Sequence, residues 1–428
     1  MITKLSANAY KGFRHFEIAP RNMNLLIGAN GTGKTNFSDF IEFISLFARY
    51  GLKEAFDRQG GFSEVRTKRH AQGKPLTFEC AIEIGADLDR GIENISYSFT
   101  LSQTNAISVK KENLKAILHR SYFTGSSENR IRPNSKKNGD SFVLEFSREK
   151  NKILKWIDTG SMFREPQSIF DDNENLILNA YGKLGLFRIV TDYLGSMRAY
   201  NIDVALAKEF SDSNEAELER AGGNMIPFLK RVMENEEMRN KILSNLQNAV
   251  PYIGSIVHER VMTLNTLKFT ELDSELEFTA PQMSDGTIRL LGYLAILLQD
   301  NPPPVIVIEE PENALHQYAT DILINIARSK SKNEKFPIQI FFTSHSSFVL
   351  DNILSIESQR ETNVECFITK RKNGASAIEP EPQKTKKAIL KNIGRPSDFL
   401  RDGSFGDAPN QIKIDFNEEE INENVEAS

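Results

Sequence analysis

Gly28-Ala29-Asn30-Gly31-Thr32-Gly33-Lys34-Thr35 is the stretch on which the fold turns. It matches the pattern G-x-x-x-x-G-K-[ST]. An apolar run, residues 25–27, precedes it. Residues 36–50 follow, with Phe37, Phe40, Ile41, Ile44 and Phe47 at helical spacing. Strand, glycine loop and helix in this order is a device for holding polyphosphate. The glycines let the backbone turn tightly so that its N–H groups face the anion, and the helix start adds its positive dipole end. Lys34 is placed to reach β- and γ-phosphates and the Thr35 hydroxyl to ligate Mg²⁺. Gly28, Asn30, Gly31, Gly33 and Asn36 complete the candidate contact set.

The rest of the chain is compatible with an ordinary soluble protein. It has 428 residues, 39% hydrophobic and 26% charged, with a net charge of −5. That excludes collagen-like, mucin-like and wholly disordered chains, and the length predicts two or three structural units. Cys80 and Cys366 are too few and too far apart for a disulfide framework, which suits a reducing cytoplasm. The most apolar stretch, 288–298, is about half of what a membrane helix needs. The opening MITKLSANAYKGF lacks a signal-peptide core. Mild overall acidity argues against general nucleic-acid binding. Two local basic patches stand out: residues 66–70, and Arg130, Arg132, Lys136 and Lys137 in the polar stretch 125–139.

Three more motifs carry chemistry. VIVIEEPENALH, residues 305–316, is a β-branched strand ending in acids, which places Glu309 and Glu310 at the carboxyl edge of a parallel sheet. Glu309 is assigned to the Mg²⁺ shell, and Glu310 to accepting a proton from the attacking water. FFTSHSSFVL, residues 341–350, delivers Thr343, Ser344 and His345 to the same edge. A serine hydrolase is excluded, because neighbours on a strand point to opposite faces and no G-x-S-x-G elbow is present. His345 is assigned to sensing the γ-phosphate. Met283-Ser284-Asp285-Gly286-Thr287 precedes the apolar helix from Ile288 and offers a second helix start to an anion. The guanine-reading N-K-x-D is lacking, since neither Asn151-Lys152-Ile153-Leu154 nor Asn240-Lys241-Ile242-Leu243 carries the Asp. His258-Glu259-Arg260-Val261-Met262 lacks the second His of a zinc protease.

Between the motifs, residues 61–158 predict an antiparallel meander, with strands near 78–84, 95–101 and 141–146. Residues 203–248 read as helical, broken at Gly222-Gly223. From about 250 the pattern becomes α/β, with strands near 305–308, 338–343 and 365–369 and a helix over 315–328. The end after about Gly403 is acidic and poor in large apolar groups.

This order of motifs resembles the ABC-type ATPase heads of the RecF and structural-maintenance-of-chromosomes branch. It is most similar to the compact ATPases of prokaryotic genome-maintenance and anti-phage operons, and to the ATPase half of overcoming-lysogenization-defect nucleases. NAYKGFRHFEIAPRNMNLLIGANGTGKTN is similar to that branch's opening. The clear likeness covers residues 1–50 and 280–350. Glu309, where the branch usually has Asp, and Asp285, where transporters have glycine, depart from a transporter motor.

The resemblance implies an α/β fold: an ABC-type P-loop NTPase head with an antiparallel β lobe and a helical insertion. The division it implies is 1–202 for lobe I, 203–249 for the insertion, 250–402 for lobe II and 403–428 for the tail. It implies ATP and Mg²⁺ bound through Lys34 and Thr35, with Ser284 and Gly286 contacting the γ-phosphate on another subunit. Glu310 becomes the general base and His345 the switch. Lys11 and Arg14 lie where the branch often meets the nucleotide. The implied activity is ATP hydrolysis by a homodimer or larger homo-oligomer that controls a separately encoded effector, a nuclease or toxin. A DNA-acting repair ATPase and a slowly turning nucleotide-gated scaffold are the alternatives.

Overall fold

The computed structural model describes residues 1–66, 76–87, 91–103, 107–119, 141–149, 152–155, 176, 178, 185–210, 217–261, 263–274, 276–332, 338–355, 363–403 and 405. Parallel strands covered on both faces need unbroken apolar runs. MNLLI, VIVIE and QIFFTS supply them: every residue of β3 (Met23–Ile27), β13 (Val305–Glu309) and β14 (Gln339–Ser344) is buried. β14 pairs in parallel with both β3 and β13. β15 (Val364–Lys372) flanks β3, and the three-residue β9 (Arg198–Tyr200) flanks β13, both in parallel.

The antiparallel strands join the same sheet. β1 (Ile2–Tyr10) and β2 (Phe13–Ile18) form a hairpin. β16 (Ala375–Pro380) returns from β15 and pairs with β2. From β1 the meander runs through β4 (Leu76–Asp87), β5 (Ile92–Gln103), β6 (Ile107–His119), β7 (Ser141–Glu149) and β8 (Lys152–Lys155). The result is one sheet of 13 strands, ordered β8-β7-β6-β5-β4-β1-β2-β16-β15-β3-β14-β13-β9. The expected meander strands fall in β4, β5 and β7. β6 has no clear signal in the sequence because ISVKKENLKAILH interrupts its alternation with charge. Its Glu112 is wholly buried and accepts from the Tyr97 hydroxyl at 2.8 Å and from Leu178 N at 3.1 Å.

Seven helices among the described residues have eight residues or more: α1 (Lys34–Tyr50), α2 (Gly185–Gly195), α3 (Met225–Glu234), α4 (Glu236–Ala249), α5 (Asp285–Leu298), α6 (Gln317–Ser331) and α7 (Gln383–Leu390). They cover both sheet faces. The two-residue period of β13 sends Val305 and Val307 into one core with α1 and α2, and Ile306 and Ile308 into the other with α5. Helix α1 is fastened to the meander by aromatic rings: Phe47 lies 5.1 Å from Phe99, and Phe43 lies 5.5 Å from Phe78. Each buried ring contributes about 1.5–3 kcal/mol, so the glycine loop hangs from a rigid strand-to-helix unit.

Two expectations change. Where an α/β pattern was read from residue 250, β10 (Ile253–Val261), β11 (Leu264–Glu271) and β12 (Glu277–Thr279) form a separate antiparallel sheet. Only one face is buried: Ile256, Leu267 and Phe269 lie in the core while Val257 and Val261 are exposed, so apolar residues on both faces of SIVHERV blur the alternation. The helix read over 315–328 begins two residues later, at Gln317. The basic stretch 125–139, residues 67–70 of the other patch and the acidic end from 406 lie outside the described residues. Arg66 is described, and bridges to Tyr10. Phe405 is also described, and is buried.

Glu381, just after β16, is 3% exposed, and its Oε1 has no hydrogen-bond partner. Burial pushes this carboxyl up to about 7, against the pull of Lys386. A raised folded-state value means that the folded chain binds the extra proton. The associated stability is therefore present below the ordinary glutamate range and lost as pH rises through about 7. We expect Glu381→Gln to flatten the loss of unfolding free energy between weakly acidic and weakly basic pH. The effect is bounded at roughly 3 kcal/mol by the size of the shift, and is read by urea unfolding across that range.

Candidate nucleotide site

The glycine loop leads directly into α1. Gly33 is its N-cap, with φ at +117°, no side chain capping the helix and no acid in the first turn. The first-turn N–H groups of a helix have no partner within it, so an uncapped start of this kind suits an anion. Gly33 is required by space as well as by φ, because a Cβ there would lie 2.8 Å from the Ser376 side chain. Lys34 is folded back on its own loop. Its Nζ donates to Gly28 O at 2.8 Å and Ala29 O at 3.2 Å. Burial pulls its pKa down, and Glu310 only partly restores it. Asn30, Gly31 and Thr35 are exposed at the rim, and Asn36 is half-buried. Gly28 N donates to Ser344 O at 3.2 Å, which ties the loop to β14.

The two acids at the end of β13 diverge. Glu309 closes the strand, is 3% exposed and accepts from Arg220 Nη2 at 2.5 Å. Thr35 lies beside it and favours its charged form. Burial raises its pKa and Arg220 offsets part of that. Burial also opposes the Arg220 charge, but Glu309, Asp39 and Glu42 outweigh it, so the guanidinium is held above its ordinary value.

Glu310 leaves the strand with φ at +42°, a left-handed conformation uncommon for any residue but glycine. Its N–H donates to Thr343 O at 2.9 Å. Its carboxylate lies 3.7 Å from Lys34 Nζ and 3.4 Å from His345 Nδ1, and accepts from Asn313 Nδ2 at 2.8 Å. Burial pulls its pKa up, but Asn313, Lys34 and His345 together overcome it, so the carboxyl sits below the ordinary glutamate value and is charged at neutral pH.

Lys34, Thr35, Glu309, Glu310 and His345 are thus brought together. Ser284 and Gly286 are not joined to them. Ser284 Oγ accepts from Thr287 N at 3.2 Å and so caps its own helix, α5. Gly286 lies against the loop after β13, where a Cβ would come within 2.7 Å of Ala314 O. Lys11 Nζ reaches Asp39 at 2.6 Å, on the first turns of α1, and Arg14 is exposed on β2.

Sequence reading missed Arg220 and Glu312. Glu312 Oε1 accepts from Ser344 Oγ at 2.6 Å and from His345 N at 3.3 Å, locking the end of β14 to the loop. Its place two residues beyond Glu310 in one acidic run was the available signal. Arg220 has none, being linked to Glu309 only through space.

For Mg²⁺, the residues present fit. Among the described residues no group of three or more His, Cys, Asp or Glu side chains could hold a metal. Mg²⁺ in phosphate sites asks for less: one or two carboxylates, with phosphate oxygens and water supplying the rest. A hydroxyl and a carboxylate side by side, Thr35 and Glu309, meet that demand.

Comparison with known proteins agrees with this geometry. The family model described as "AAA domain, putative AbiEii toxin, Type IV TA system" matches residues 23–351. The chain belongs to this family. The match spans both the glycine loop and His345. An SMC head, crystallised bound to the C-winged helix domain of ScpA, shares the fold: 14% identity and a TM-score of 0.51, covering 90% of this chain and 98% of that one. The SMC head of Pyrococcus furiosus, with an extended coiled coil, matches at 12% identity and 0.47, covering 92% and 99%. That of Thermotoga maritima matches at 13% and 0.42, covering 89% and 99%. No curated protein matches the sequence. The fold is that of an SMC head, in a family of AAA domains. No helix among the described residues is long and apolar enough to cross a membrane.

Lys34→Ala should lower ATP affinity at least about ten-fold in titration calorimetry, since it deletes the charge aimed at the phosphates, with circular dichroism unchanged. Glu312→Ala leaves the Ser344 hydroxyl and His345 N–H without their acceptor. Its expected cost is about 1–3 kcal/mol of unfolding free energy, measured by denaturant titration.

Proposed function

We propose that the chain binds ATP with Mg²⁺ through residues 28–35 and hydrolyses it to ADP and phosphate. The supporting observation is the meeting of Lys34, Glu310 and His345 within 3.7 Å at the carboxyl edge of the parallel sheet. Lys34 exchanges its loop carbonyls for phosphate oxygens. Glu310, charged and half open, accepts a proton from water, and His345 beside it reports the γ-phosphate. Mg²⁺, held by Thr35 and Glu309, would neutralise charge on the phosphates.

The working unit in this proposal is a pair of chains or a larger homo-oligomer. Ser284 and Asp285 are exposed, and the helix start they form is separate from the Lys34 cluster. The anion for that start then comes from another copy, whose γ-phosphate Ser284 and Gly286 would complete. Closure of such a pair is an output, and the family's description, "putative AbiEii toxin, Type IV TA system", suits a chain that works with a second, separately encoded protein. We therefore place the chain as the nucleotide-driven controller of a separately encoded effector in anti-phage defence or genome maintenance.

Glu310→Gln keeps the shape and removes the base. Turnover should fall by about 10²–10⁴ while ATP binding survives, as measured by phosphate release and calorimetry. In that background sedimentation should show ATP-favoured association, abolished by Ser284→Arg. Normal turnover in the first variant, or a strict monomer under all nucleotide conditions, would overturn the corresponding part.

A further inference from the structure

Arg220 has no task in the reading above, yet it is the most heavily partnered cation at the site. Its side chain is 25% exposed. Nη1 donates to Asp39 Oδ1 at 2.5 Å and to Glu42 Oε2 at 2.7 Å, both on α1. Nη2 donates to Glu309 Oε1 at 2.5 Å. The Glu309 carboxyl is also the one beside Thr35. The guanidinium therefore stands on the carboxylate that a divalent cation would need.

The placement is built rather than incidental. Arg220 O accepts from Asn201 N at 2.9 Å, and Ala221 O accepts from Asp203 N at 2.9 Å, so the backbone carrying Arg220 is laid along the chain leaving β9. That chain is held in turn by α5: Arg289 Nη2 reaches Asn201 Oδ1 at 3.4 Å, and Lys208 Nζ reaches Asp285 at 2.6 Å. A guanidinium suits the task because its planar fork serves different acceptors with different nitrogens. The Glu309 contact can be given up while the two on α1 remain.

We infer that Arg220 is the resident counter-cation of the metal site. It neutralises Glu309 while no divalent cation is bound, and yields that carboxylate, keeping Asp39 and Glu42, when the metal and nucleotide arrive. A buried carboxylate must be compensated in both states, and two cations on one oxygen repel strongly in a half-buried site. The exchange meets both demands. The inference rests on the ATP–Mg²⁺ reading and goes beyond it by assigning the residue that metal binding displaces.

The test compares wild type with Arg220→Gln by thermal unfolding in EDTA and in excess MgCl₂ alone, and by Mn²⁺ titration followed by electron paramagnetic resonance without nucleotide. Wild type should respond little to Mg²⁺, its carboxylate being already neutralised. Arg220→Gln should lose stability in EDTA, regain most of it with MgCl₂, and bind Mn²⁺ about ten-fold more tightly than wild type, because the competing charge is gone. Equal Mg²⁺ responses and equal Mn²⁺ affinities would overturn the inference and leave Arg220 a structural ion pair. If Arg220→Gln does not fold, Arg220→Lys takes its place. It keeps the charge without the fork and should shift both readouts the same way by a smaller amount; wild-type values would overturn the inference. Stabilisation of wild type by ATP with Mg²⁺ is measured alongside. Its absence would sink the ATP–Mg²⁺ reading itself, which separates that failure from a failure of the exchange.

Discussion

Two consecutive carboxylates at the end of a buried strand must both be compensated, and they cannot be compensated by the same group. Glu309, the last residue of β13, is on the covered side, where burial at 3% exposure demands a fixed cation, and Arg220 supplies it. Glu310, turned outward by its left-handed backbone, meets Lys34 and His345 instead. An uncompensated charge in either place would cost several kcal/mol. Much of the surrounding architecture consists of the elements needed to bring these separate partners to one strand end.

These partners come from three distant parts of the chain. Lys34 arrives on α1, whose rings are anchored in the meander. His345 follows β14, which lies between β3 and β13 and so carries the glycine loop on one side and the acids on the other. Arg220 arrives on a connection laid along β9 and pinned to α5. The chain leaving β9, along which that connection is laid, also touches the helix that Ser284 caps, so Glu309 and the exposed helix start share a mechanical link. Gly286 adds a second link, because its missing side chain lets α5 rest on the backbone of the loop after Glu310.

Motifs whose parts lie close together in the chain were legible beforehand. The glycine loop, the strand ending in Glu309 and Glu310, and the strand delivering His345 each combine a continuous apolar run with a polar terminus. Local sequence suffices to mark that combination. β6 was not legible, because a buried glutamate satisfied by Tyr97 and a distant backbone N–H breaks the alternation that marks a strand. The separate β10–β11–β12 sheet was missed for a related reason: one-sided burial over short strands leaves too few residues to establish a period.

The sequence by itself therefore determined the chemistry on offer: a phosphate loop, a pair of acids, a histidine and a second helix start, on strands apolar enough to form a parallel sheet. Tertiary structure decided how those groups are partnered. It gave the two acids different partners, merged the meander and the parallel strands into a single 13-stranded sheet, and set Arg220 on Glu309 across 89 residues of chain. Periodicity and motif spacing report interactions between residues a few positions apart. Charge compensation in a buried site selects its partners by distance in space, to which the order of residues along the chain is blind.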